Sequence, residues 1–254
     1  MPLPDGIDWI TGASSGIGRA LALKMAAAGR SVVISARSAE ALDRVAAEAE
    51  GLPGHLIALP LDVTDAEAVK AAVAEIEADH GPLALAVLNA GTHKPLSATN
   101  LDPADFRALA ELNLFATVSC LAAALAPMRT RGRGQIAVVA SVAGYFGLPT
   151  SSAYGMTKAG LINMTQALQP ELAAMGITLQ LVNPGFVRTP LTDRNRFPMP
   201  FLMEPDKAAE RFLRGLESGR FEIVFPWRLA AILRLLRALP MSWALAVTKR
   251  MKPT

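Results

Sequence analysis

Cysteine and histidine are scarce in this sequence. Cys120 is its only cysteine, so no disulfide can form within the chain. Its position in the apolar stretch TVSCLAAAL predicts a packing role in a helix. The three histidines, His55, His80 and His93, are scattered and lack the spacing typical of metal ligands. We therefore predict neither a disulfide nor a metal site.

The sequence also lacks a long apolar run. No uncharged apolar stretch reaches the roughly 18 residues of a membrane-spanning helix, and the opening residues MPLPDGIDWI lack the basic and apolar regions of a signal peptide. Because 52% of the 254 residues are hydrophobic and 19% are charged, we expect a globular chain with a substantial core. A cytoplasmic location is the resulting prediction.

Acidic residues are absent from the last part of the chain. Residues 226–254 contain six Lys or Arg and no Asp or Glu. The net charge of the whole chain is +3, so residues 1–225 carry a net charge of −3. A nucleic-acid-binding protein would need basic residues along one face of its core. The charge distribution therefore predicts no nucleic-acid partner.

Short apolar runs alternate with longer segments that have apolar residues at three- and four-residue spacing. The runs predict strands at residues 7–11, 31–36, 55–63, 83–89, 134–141, 177–184 and 221–225. Ser38 and Thr64 are the predicted N-caps of two intervening helices. This order predicts an α/β fold with a doubly wound parallel β-sheet and helices on both faces. We predict one domain over residues 1–225, followed by a C-terminal extension over residues 226–254.

The first predicted strand leads into a glycine-rich turn. Residues 11–18 read TGASSGIG, so Gly12, Gly16 and Gly18 fall in the first strand-to-helix connection. Glycine tolerates tight turns and lets a phosphate approach the backbone. The N-terminus of the following helix offers free N–H groups to a pyrophosphate. The position of this loop in the first β–α unit predicts a dinucleotide-binding site.

The residues after the second predicted strand indicate which dinucleotide binds. An acidic residue there would bind the adenosine ribose, whereas an arginine favours a 2′-phosphate. The sequence reads ISARS, with Ala36 at the position of the acid and Arg37 after it. Since a guanidinium suits a phosphate, we predict a preference for NADP(H) over NAD(H). The alternative is that Arg37 is a surface side chain that extends into water.

A tyrosine and a lysine are four residues apart in the stretch YGMTK. On a helix, residues i and i+4 lie on the same face, so Tyr154 and Lys158 can point into one space. An ammonium near a phenol lowers the pKa of the tyrosine from about 10, which gives a usable acid or base at neutral pH. The bare pattern also fits a solvated helix face, so its meaning depends on the rest of the chain.

Several motifs, in order, resemble those of the classical short-chain dehydrogenase/reductase family. Besides TGASSGIG and YGMTK they are LDVTD, NAG, LNLFAT, VASVAG and NPGFVRT. The resemblance implies four catalytic residues, which are Asn113, Ser141, Tyr154 and Lys158. It implies a larger set of cofactor-binding residues, which are Gly12, Ser14, Ser15, Gly16, Ile17, Gly18, Arg37, Asp62, Val63, Asn89, Ala90, Gly91, Tyr154, Lys158, Pro184, Gly185, Val187 and Thr189.

The resemblance implies an enzyme that transfers a hydride between a nicotinamide cofactor and a carbonyl or alcohol. Tyr154 would donate a proton to the carbonyl oxygen, or remove it in reverse. Lys158 would favour the tyrosinate and bind the nicotinamide ribose. Ser141 would hold the carbonyl oxygen, and Asn113 would organise a water that links Lys158 to solvent. Alternatively, Ser141 caps a strand end, Asn113 bridges a helix irregularity, and Asp62 belongs to the first turn of the next helix.

The loop over residues 190–206 is rich in large apolar side chains. Flexible methionines and aromatic residues suit an apolar ligand, so we predict an apolar or lipid-like substrate. The alternative is a hydrophobic loop that packs on the core. The apolar residues of the loop are Leu191, Phe197, Met199, Phe201, Leu202 and Met203, and Phe146 and Leu148 would extend the same wall.

The extension contains a pattern typical of an amphipathic helix over residues 227–239. With its basic charges, it resembles a helix that lies in a membrane interface. Three uses stay open: docking on its own domain or on a dimer partner, peripheral contact with an anionic membrane, and covering a lipophilic substrate pocket. The apolar residues of the pattern are Leu229, Ile232, Leu233 and Leu236.

Two other functions fit parts of the sequence. A 3-oxoacyl thioester reductase would need a basic rim for an acidic carrier protein, and Arg129, Arg131 and Arg133 are candidates, although they look more like a solvated turn. A non-catalytic dinucleotide-binding regulator is favoured less, because the residues of the catalytic set are present. A fold does not identify a substrate. The family resemblance also implies a homo-dimer or homo-tetramer.

Overall fold

The computed structural model describes residues 2–194 and 199–249. A seven-stranded parallel sheet forms its centre, in the order β3-β2-β1-β4-β5-β6-β7. The strands are β1 (Ile7–Thr11), β2 (Ser31–Ser35), β3 (His55–Ala58), β4 (Leu83–Leu88), β5 (Gly134–Val139), β6 (Ile177–Pro184) and β7 (Glu222–Phe225). The predicted α/β fold with a doubly wound parallel sheet is confirmed.

Helices cover both faces of the sheet. Within the described residues they are α1 (Gly16–Ala27), α2 (Ala39–Ala47), α3 (Ala66–Glu75), α4 (Pro103–Ala110), α5 (Ala116–Arg131), α6 (Ser152–Ala174), α7 (Pro205–Glu217), α8 (Trp227–Ala238) and α9 (Met241–Lys249). Successive strand residues point to opposite faces. Leu85 and Val87 of β4 pack in the core with α1, α2 and α7, whereas Ala86 and Leu88 pack with α3, α5, α6 and α8.

The strand order places a switch point at the centre of the sheet. The chain runs outward from β1 to β3 and then returns to β4, on the other side of β1. In open α/β sheets, ligands bind beyond the carboxyl ends of the strands at such a point. The loops after β1 and β4 meet there, and they carry the TGASSGIG and NAG motifs.

A buried ion pair lies at the opposite, amino edge of the sheet. Asp8 of β1 is fully buried, and it accepts hydrogen bonds from Arg30 Nε at 2.7 Å and Arg30 Nη2 at 2.6 Å. Burial raises the pKa of Asp8, while Arg30 acts in the opposite direction. The same guanidinium donates to the carbonyl oxygen of Pro4 at 2.7 Å. This pair fixes the start of β1 against the end of the α1–β2 connection.

One of the two predicted helix caps is wrong. Ser38 caps α2 as predicted, since its Oγ accepts from Ala41 N at 3.2 Å. The cap of α3 is Asp65, whose Oδ1 accepts from two backbone N–H groups at 3.0 Å each. Thr64 instead donates its hydroxyl to Asp62 Oδ1 at 2.7 Å. Threonine and aspartate both cap helices, and the neighbouring aspartate holds the cap position here.

Residues 103–131 form a continuous helical stretch in which five residues, Glu111–Phe115, have π-helical hydrogen bonding between α4 and α5. By length and composition alone, this stretch is long and apolar enough to cross a membrane. The core helix of a globular protein passes the same test. Here Ala116, Cys120 and Ala124 are buried against the sheet, as expected of such a helix.

Helix α8 of the extension packs on the sheet layer that also holds α5 and α6. Its buried face consists of Leu229, Ala230, Leu233 and Leu236. Of the uses left open by the sequence, the structure shows docking on the same chain for this face. Ile232 was predicted to share the face, but its side chain is 52% exposed, and the small Ala230 takes the inward position.

Candidate active site

The glycine-rich loop lies at the carboxyl edge of the sheet, directly before α1. Gly12 and Gly16 have φ angles of +66° and +57°, in the left-handed region that glycine tolerates. A Cβ on Gly12 would lie 2.8 Å from Ala90 Cα, and one on Gly18 would lie 2.5 Å from the carbonyl oxygen of Gly12. The three glycines therefore allow the loop, α1 and the NAG segment to meet without side chains between them.

Thr11 and Asn89 hold the two loops together. Thr11 Oγ1 accepts from Asn89 N at 3.0 Å and from Ala90 N at 3.1 Å. Asn89 Nδ2 donates to the carbonyl oxygens of Thr11 at 3.0 Å and Gly12 at 3.1 Å. Thr11 was not among the predicted site residues, although its position as the last residue of the first strand was the available signal.

An open cleft of about 880 Å³ runs along this edge. The N-terminus of α1 faces it, so backbone N–H groups that lack intrahelical partners are available to an anion. Of the predicted cofactor-binding residues, those that line the cleft are Gly12, Ser14, Ser15, Gly16, Ile17, Arg37, Asp62, Val63, Asn89, Ala90, Gly91 and Thr189. Twelve of the predicted positions therefore meet around one space, although they come from five separate segments of the chain.

Arg37 and Asp62 lie at the exposed end of the cleft. Asp62 Oδ1 accepts from Thr64 N at 3.0 Å as well as from its hydroxyl. These hydrogen bonds are the main reason that the pKa of Asp62 is lowered, and the positive charge of Arg37 adds to the effect. Asp62 is thus ionised and oriented by the turn before α3.

Tyr154 and Lys158 project from one face of α6, as the four-residue spacing predicted. The Nζ atom of Lys158 lies 5.7 Å from the centroid of the Tyr154 ring. Lys158 is only 4% exposed, and its Nζ donates to the carbonyl oxygen of Val139, at the end of β5, at 2.9 Å. Burial lowers the pKa of Lys158 to about 8, because an ammonium loses hydration when it is enclosed.

The predicted lowering of the Tyr154 pKa is wrong for this structure. Burial raises the pKa of Tyr154, and the hydrogen bond between its side chain and Ser141 only partly opposes the rise. Desolvation favours the neutral phenol and outweighs this opposing hydrogen bond. Tyr154 is therefore protonated at neutral pH.

Ser141 connects Tyr154 to the NPGFVRT segment. Its hydroxyl donates to the carbonyl oxygen of Pro184 at 3.3 Å, and its Oγ accepts from Ala143 N at 3.1 Å. The second bond also caps the short 3₁₀ turn Val142–Gly144. The sequence left open a cap at a strand end, whereas Ser141 caps this turn instead. The two hydrogen bonds fix the Ser141 side chain.

Asn113 is fully buried at the centre of the π-helical turn. Its Oδ1 accepts from Thr92 N at 2.7 Å, and its Nδ2 donates to Thr92 O at 2.9 Å and to Thr157 Oγ1 at 3.3 Å. A Cβ on Gly91 would lie 3.1 Å from Asn113 Oδ1 and 3.6 Å from Lys158 Nζ. Asn113 therefore ties the loop after β4 to α6, at the point where Lys158 approaches.

Comparison with known proteins decides the family. The family model described as short chain dehydrogenase matches residues 8–198. The chain is a member of the short-chain dehydrogenase family. Its members are NAD(P)-dependent oxidoreductases that act on CH–OH and C=O groups.

Three relatives show how far the similarity extends. An uncharacterized oxidoreductase of Myxococcus xanthus is 36% identical over 243 residues, with 96% of each chain covered. A 3-oxoacyl-(acyl-carrier-protein) reductase of Thermotoga maritima is 34% identical, over 87% of this chain and 86% of its own. A solved short-chain dehydrogenase from Sphingobium yanoikuyae in complex with NADPH has a TM-score of 0.82 at 28% identity, with 96% of each chain covered.

His93 is a residue of this short-chain dehydrogenase that sequence reasoning did not place at the site. It is 6% exposed and lines the cleft, and its ring meets the Tyr154 ring edge-on at a centroid distance of 4.8 Å. Thr92 and Thr157 were missed as well, although both bond to Asn113. The signals were their positions, since Thr92 directly follows NAG and Thr157 directly precedes Lys158.

A polar cluster connects α8 to the segment after Ser141. Tyr145 donates its hydroxyl to Glu222 of β7, and Arg234 of α8 forms an ion pair with the same carboxylate. Asn183 Nδ2 also donates to Glu222, at 2.8 Å. Burial and the neighbouring carboxylate raise the pKa of Tyr145. This cluster holds α8 beside Asn183, directly before Pro184 and Gly185.

The predicted substrate loop is only partly a cleft wall. Leu191 lines the cleft, but Met203 is 8% exposed and packs in the core, where its backbone bridges to Val187. For Met203, the alternative of packing on the core is what the structure shows. Phe201 is 42% exposed. Phe197 lies outside the described residues.

The basic residues considered as a rim for a carrier protein lie elsewhere. Arg129 and Arg131 end α5, and Arg133 precedes β5. They are therefore at the amino edge of the sheet, opposite the cleft. Arg131 is engaged there, since it donates to Glu77 at 2.5 Å and to the carbonyl oxygen of Leu83 at 2.8 Å. These arginines do not form a rim around the active site.

Proposed function

We propose that this protein is an NADP(H)-dependent oxidoreductase that interconverts a carbonyl and a secondary alcohol, with Tyr154 as general acid and base. The observation that carries the proposal is the convergence of Tyr154, Ser141 and Lys158. Tyr154 and Ser141 share a hydrogen bond, and Lys158 Nζ lies 5.7 Å from the tyrosine ring. A proton donor, a second hydrogen-bond donor and a buried cation thus stand together beside a glycine-lined cleft.

The residues of the cleft fit a nicotinamide dinucleotide. Gly12 and Gly16 line the cleft without side chains of their own, so a pyrophosphate can approach their backbone. The N-terminus of α1 adds hydrogen-bond donors. Asp62 and Val63 would face the adenine, and Asn89, Ala90 and Gly91 would follow the ribose toward α6. Pro184, Gly185, Val187 and Thr189 would bound the nicotinamide end.

When bound, the nicotinamide supplies or accepts the hydride. Tyr154, held in its protonated form by burial, donates its proton to the carbonyl oxygen in the direction of reduction. Ser141 donates a hydrogen bond to the same oxygen as negative charge develops there. Lys158 is mainly cationic at neutral pH, so it stabilises the tyrosinate that remains. Asn113 holds Gly91 and Thr92 in place, and its proposed water would return a proton to Lys158.

Arg37 supports a preference for NADPH. It lines the exposed end of the cleft beside Asp62, where a 2′-phosphate on the adenosine ribose would meet a positive charge. No acidic residue stands at Ala36 to bind an unmodified ribose. The Sphingobium yanoikuyae enzyme, which has the same fold over 96% of its chain, was solved in complex with NADPH.

We propose an apolar or lipid-like substrate. Leu191 lines the cleft, and Phe146 and Leu148 lie next to the Ser141 turn as partly buried apolar residues. A 3-oxoacyl thioester reductase is the second candidate, and a relative of that name from Thermotoga maritima supports it. A non-catalytic dinucleotide-binding regulator is the third candidate, and it would bind the cofactor without turnover.

Self-association is part of the proposal. Phe115, the last residue of the π-helical turn, and Val118 in the first turn of α5 are 56% and 40% exposed. Large apolar side chains this exposed on one helix fit contact with a second copy of the chain in a homo-dimer or homo-tetramer. We propose that the protein acts in the cytoplasm.

The test is cofactor oxidation against ketones, aldehydes and 3-oxoacyl thioesters of graded chain length. NADPH turnover that rises with apolar length and exceeds NADH turnover is the expected result. Turnover restricted to thioesters would instead support the second candidate. Tight NADPH binding without turnover of any compound, in both directions of reaction, would favour the regulator and contradict the enzymatic proposal.

A further inference from the structure

Helix α9 turns its large apolar side chains outward. Its buried residues are small, Ala244 and Thr248. The side chains of Met241, Trp243, Leu245 and Val247 are 64%, 65%, 54% and 46% exposed. A surface helix of a globular protein normally shows the reverse, with its large apolar residues toward the core. The outer face of α9 therefore has no apolar partner within the described chain.

Helix α8 extends this surface. Its inner face is buried, as described above, but Trp227, Ile232 and Leu235 are 64%, 52% and 65% exposed. The molecule has other exposed apolar residues, but they are distributed over several elements. We call the outer faces of α8 and α9, with these seven side chains, the tail surface. Such a concentration marks an interaction site rather than ordinary surface.

The charges of the tail surface are all positive. Arg228, Arg237 and Lys249 are exposed, and among the residues that the structure describes none of them has a carboxylate within ion-pair distance. Arg228 lies over the Trp227 ring, with its guanidinium carbon 5.7 Å from the centroid. Arg234 is the exception, because it pairs with Glu222. The sequence adds Arg250 and Lys252 and no acidic residue after Glu222.

We propose that the tail surface binds an anionic lipid membrane as a peripheral contact. The tail surface has the composition of an interfacial helix, which inserts its apolar side chains among lipid headgroups. It combines tryptophans, large aliphatic side chains and unpaired basic residues on two adjoining helices. Each basic residue near an anionic bilayer adds to the attraction. The rest of the chain has a net charge of −3 over residues 1–225, so the tail surface is the side that an anionic bilayer attracts.

A second copy of the chain fits this surface less well. In a symmetric dimer the same patch meets itself, so the arginines and lysine of one copy would face those of the other without an acidic partner. The surface is also separate from the cleft, because none of its seven apolar side chains is among the residues that line the cleft. Anionic lipid is the partner that satisfies both the charge and the apolar area.

The experiment is co-sedimentation of the purified full-length protein with vesicles of phosphatidylcholine alone or of equal parts phosphatidylcholine and phosphatidylglycerol. Two double variants are compared with the wild type: Trp243→Ser/Leu245→Ser removes apolar side chains, and Arg228→Glu/Arg237→Glu reverses two charges. Leu101→Ser is the matched control, since Leu101 is 59% exposed but lies before α4. Thermal unfolding checks that each variant is folded.

The expected result is wild-type binding to the anionic vesicles only, weakened by high salt. Both double variants should bind at least about tenfold more weakly than the wild type. Leu101→Ser should bind like the wild type. The proposal is overturned by absence of binding to anionic vesicles, by equal binding to both vesicle types, or by unchanged binding of the double variants. It is also overturned if Trp243→Ser/Leu245→Ser lowers the molar mass in light scattering, because the surface would then be a contact between copies. None of these readouts depends on enzymatic turnover, so they are independent of the proposed function.

Discussion

The two edges of the sheet bury a charge in opposite ways. At the amino edge, Asp8 is enclosed together with Arg30, and two short hydrogen bonds join them. At the carboxyl edge, Lys158 is enclosed with a backbone carbonyl as its hydrogen-bond acceptor, and it has no carboxylate partner among the described residues. A paired buried charge stabilises a structure only if it stays paired, whereas an unpaired one costs stability at all times. The difference indicates a structural role for the first site and a chemical role for the second.

The largest expected effect separates the two roles at Lys158. Lys158→Met should lower kcat about 1000-fold, because the cation beside Tyr154 is lost. The same variant should raise the free energy of unfolding at pH 7 by about 1–3 kcal/mol, since it removes the cost of a buried ammonium. Steady-state kinetics and urea unfolding measure the two quantities. A Lys158→Met protein that is less stable than the wild type would show that the lysine is structural.

The matching change at the amino edge should do the reverse. Arg30→Met leaves Asp8 buried without its partner, so the free energy of unfolding should fall by about 3–5 kcal/mol, with kcat of the folded protein nearly unchanged. The loss should be smaller at pH 5 than at pH 8, because the unpaired Asp8 has a raised pKa and its burial is tolerated only while it is protonated. The double variant Asp8→Leu/Arg30→Met should recover much of the loss. Failure of that recovery would contradict the pairing argument.

A smaller effect is expected at the outer end of the cleft. Arg37→Glu should lower kcat/KM for NADPH about 10- to 100-fold, because a charge-assisted hydrogen bond to a phosphate is replaced by repulsion. The kcat/KM for NADH should change little or rise. Arg44→Glu is a suitable control, since Arg44 is exposed on α2 and forms an ion pair with Glu40 on the same helix. Equal losses for both cofactors would contradict a contact with the 2′-phosphate.

The smallest expected effect is a pH dependence of stability at the carboxyl edge. The pKa of Lys158 is about 8 in the folded protein and about 10.4 when unfolded. Between these pH values the unfolded chain binds more protons at Lys158 than the folded protein does. Lys158 therefore makes the free energy of unfolding of the wild type increase as the pH rises. The stability advantage of Lys158→Met should therefore shrink by about 1–2 kcal/mol between pH 7.5 and 9.5. Groups that titrate alike in both proteins do not affect the difference between their free energies of unfolding. Cys120, whose pKa burial raises to about 12, is one such group.

Much of the fold could be predicted from the sequence, because buried parallel strands are short continuous apolar runs. The predicted strand at 7–11 and that at 177–184 agree with β1 and β6 to the residue. The predicted strand at 55–63 was too long, because β3 pairs with one neighbour only and ends at Ala58. Where two adjacent residues can both cap a helix, apolar periodicity does not show which one does. Thr64 and Asp65 are such a pair, and Asp65 is the cap of α3.

The site was predictable as a set of motifs but not as an arrangement of charges. The spacing of Tyr154 and Lys158 placed both on one face of α6. The pKa directions did not follow from the spacing, because desolvation depends on segments distant in sequence, such as Val139. The π-helical turn at Asn113 and the edge contact of His93 with Tyr154 have no local signature. The assigned roles of the site residues, and the division at residue 225, stay predictions.

The central claim is that Tyr154 transfers the proton that accompanies hydride transfer, and one substitution tests it directly. The rate of NADPH oxidation with the best carbonyl substrate is measured for the wild type, Tyr154→Phe and Tyr145→Phe, together with NADPH affinity by fluorescence. Tyr145 is the only other tyrosine of the chain, and its hydroxyl is engaged with Glu222. We expect Tyr154→Phe to lose about 100- to 10,000-fold in kcat with unchanged NADPH affinity, and Tyr145→Phe to keep most of the activity. Wild-type turnover in Tyr154→Phe would contradict the account.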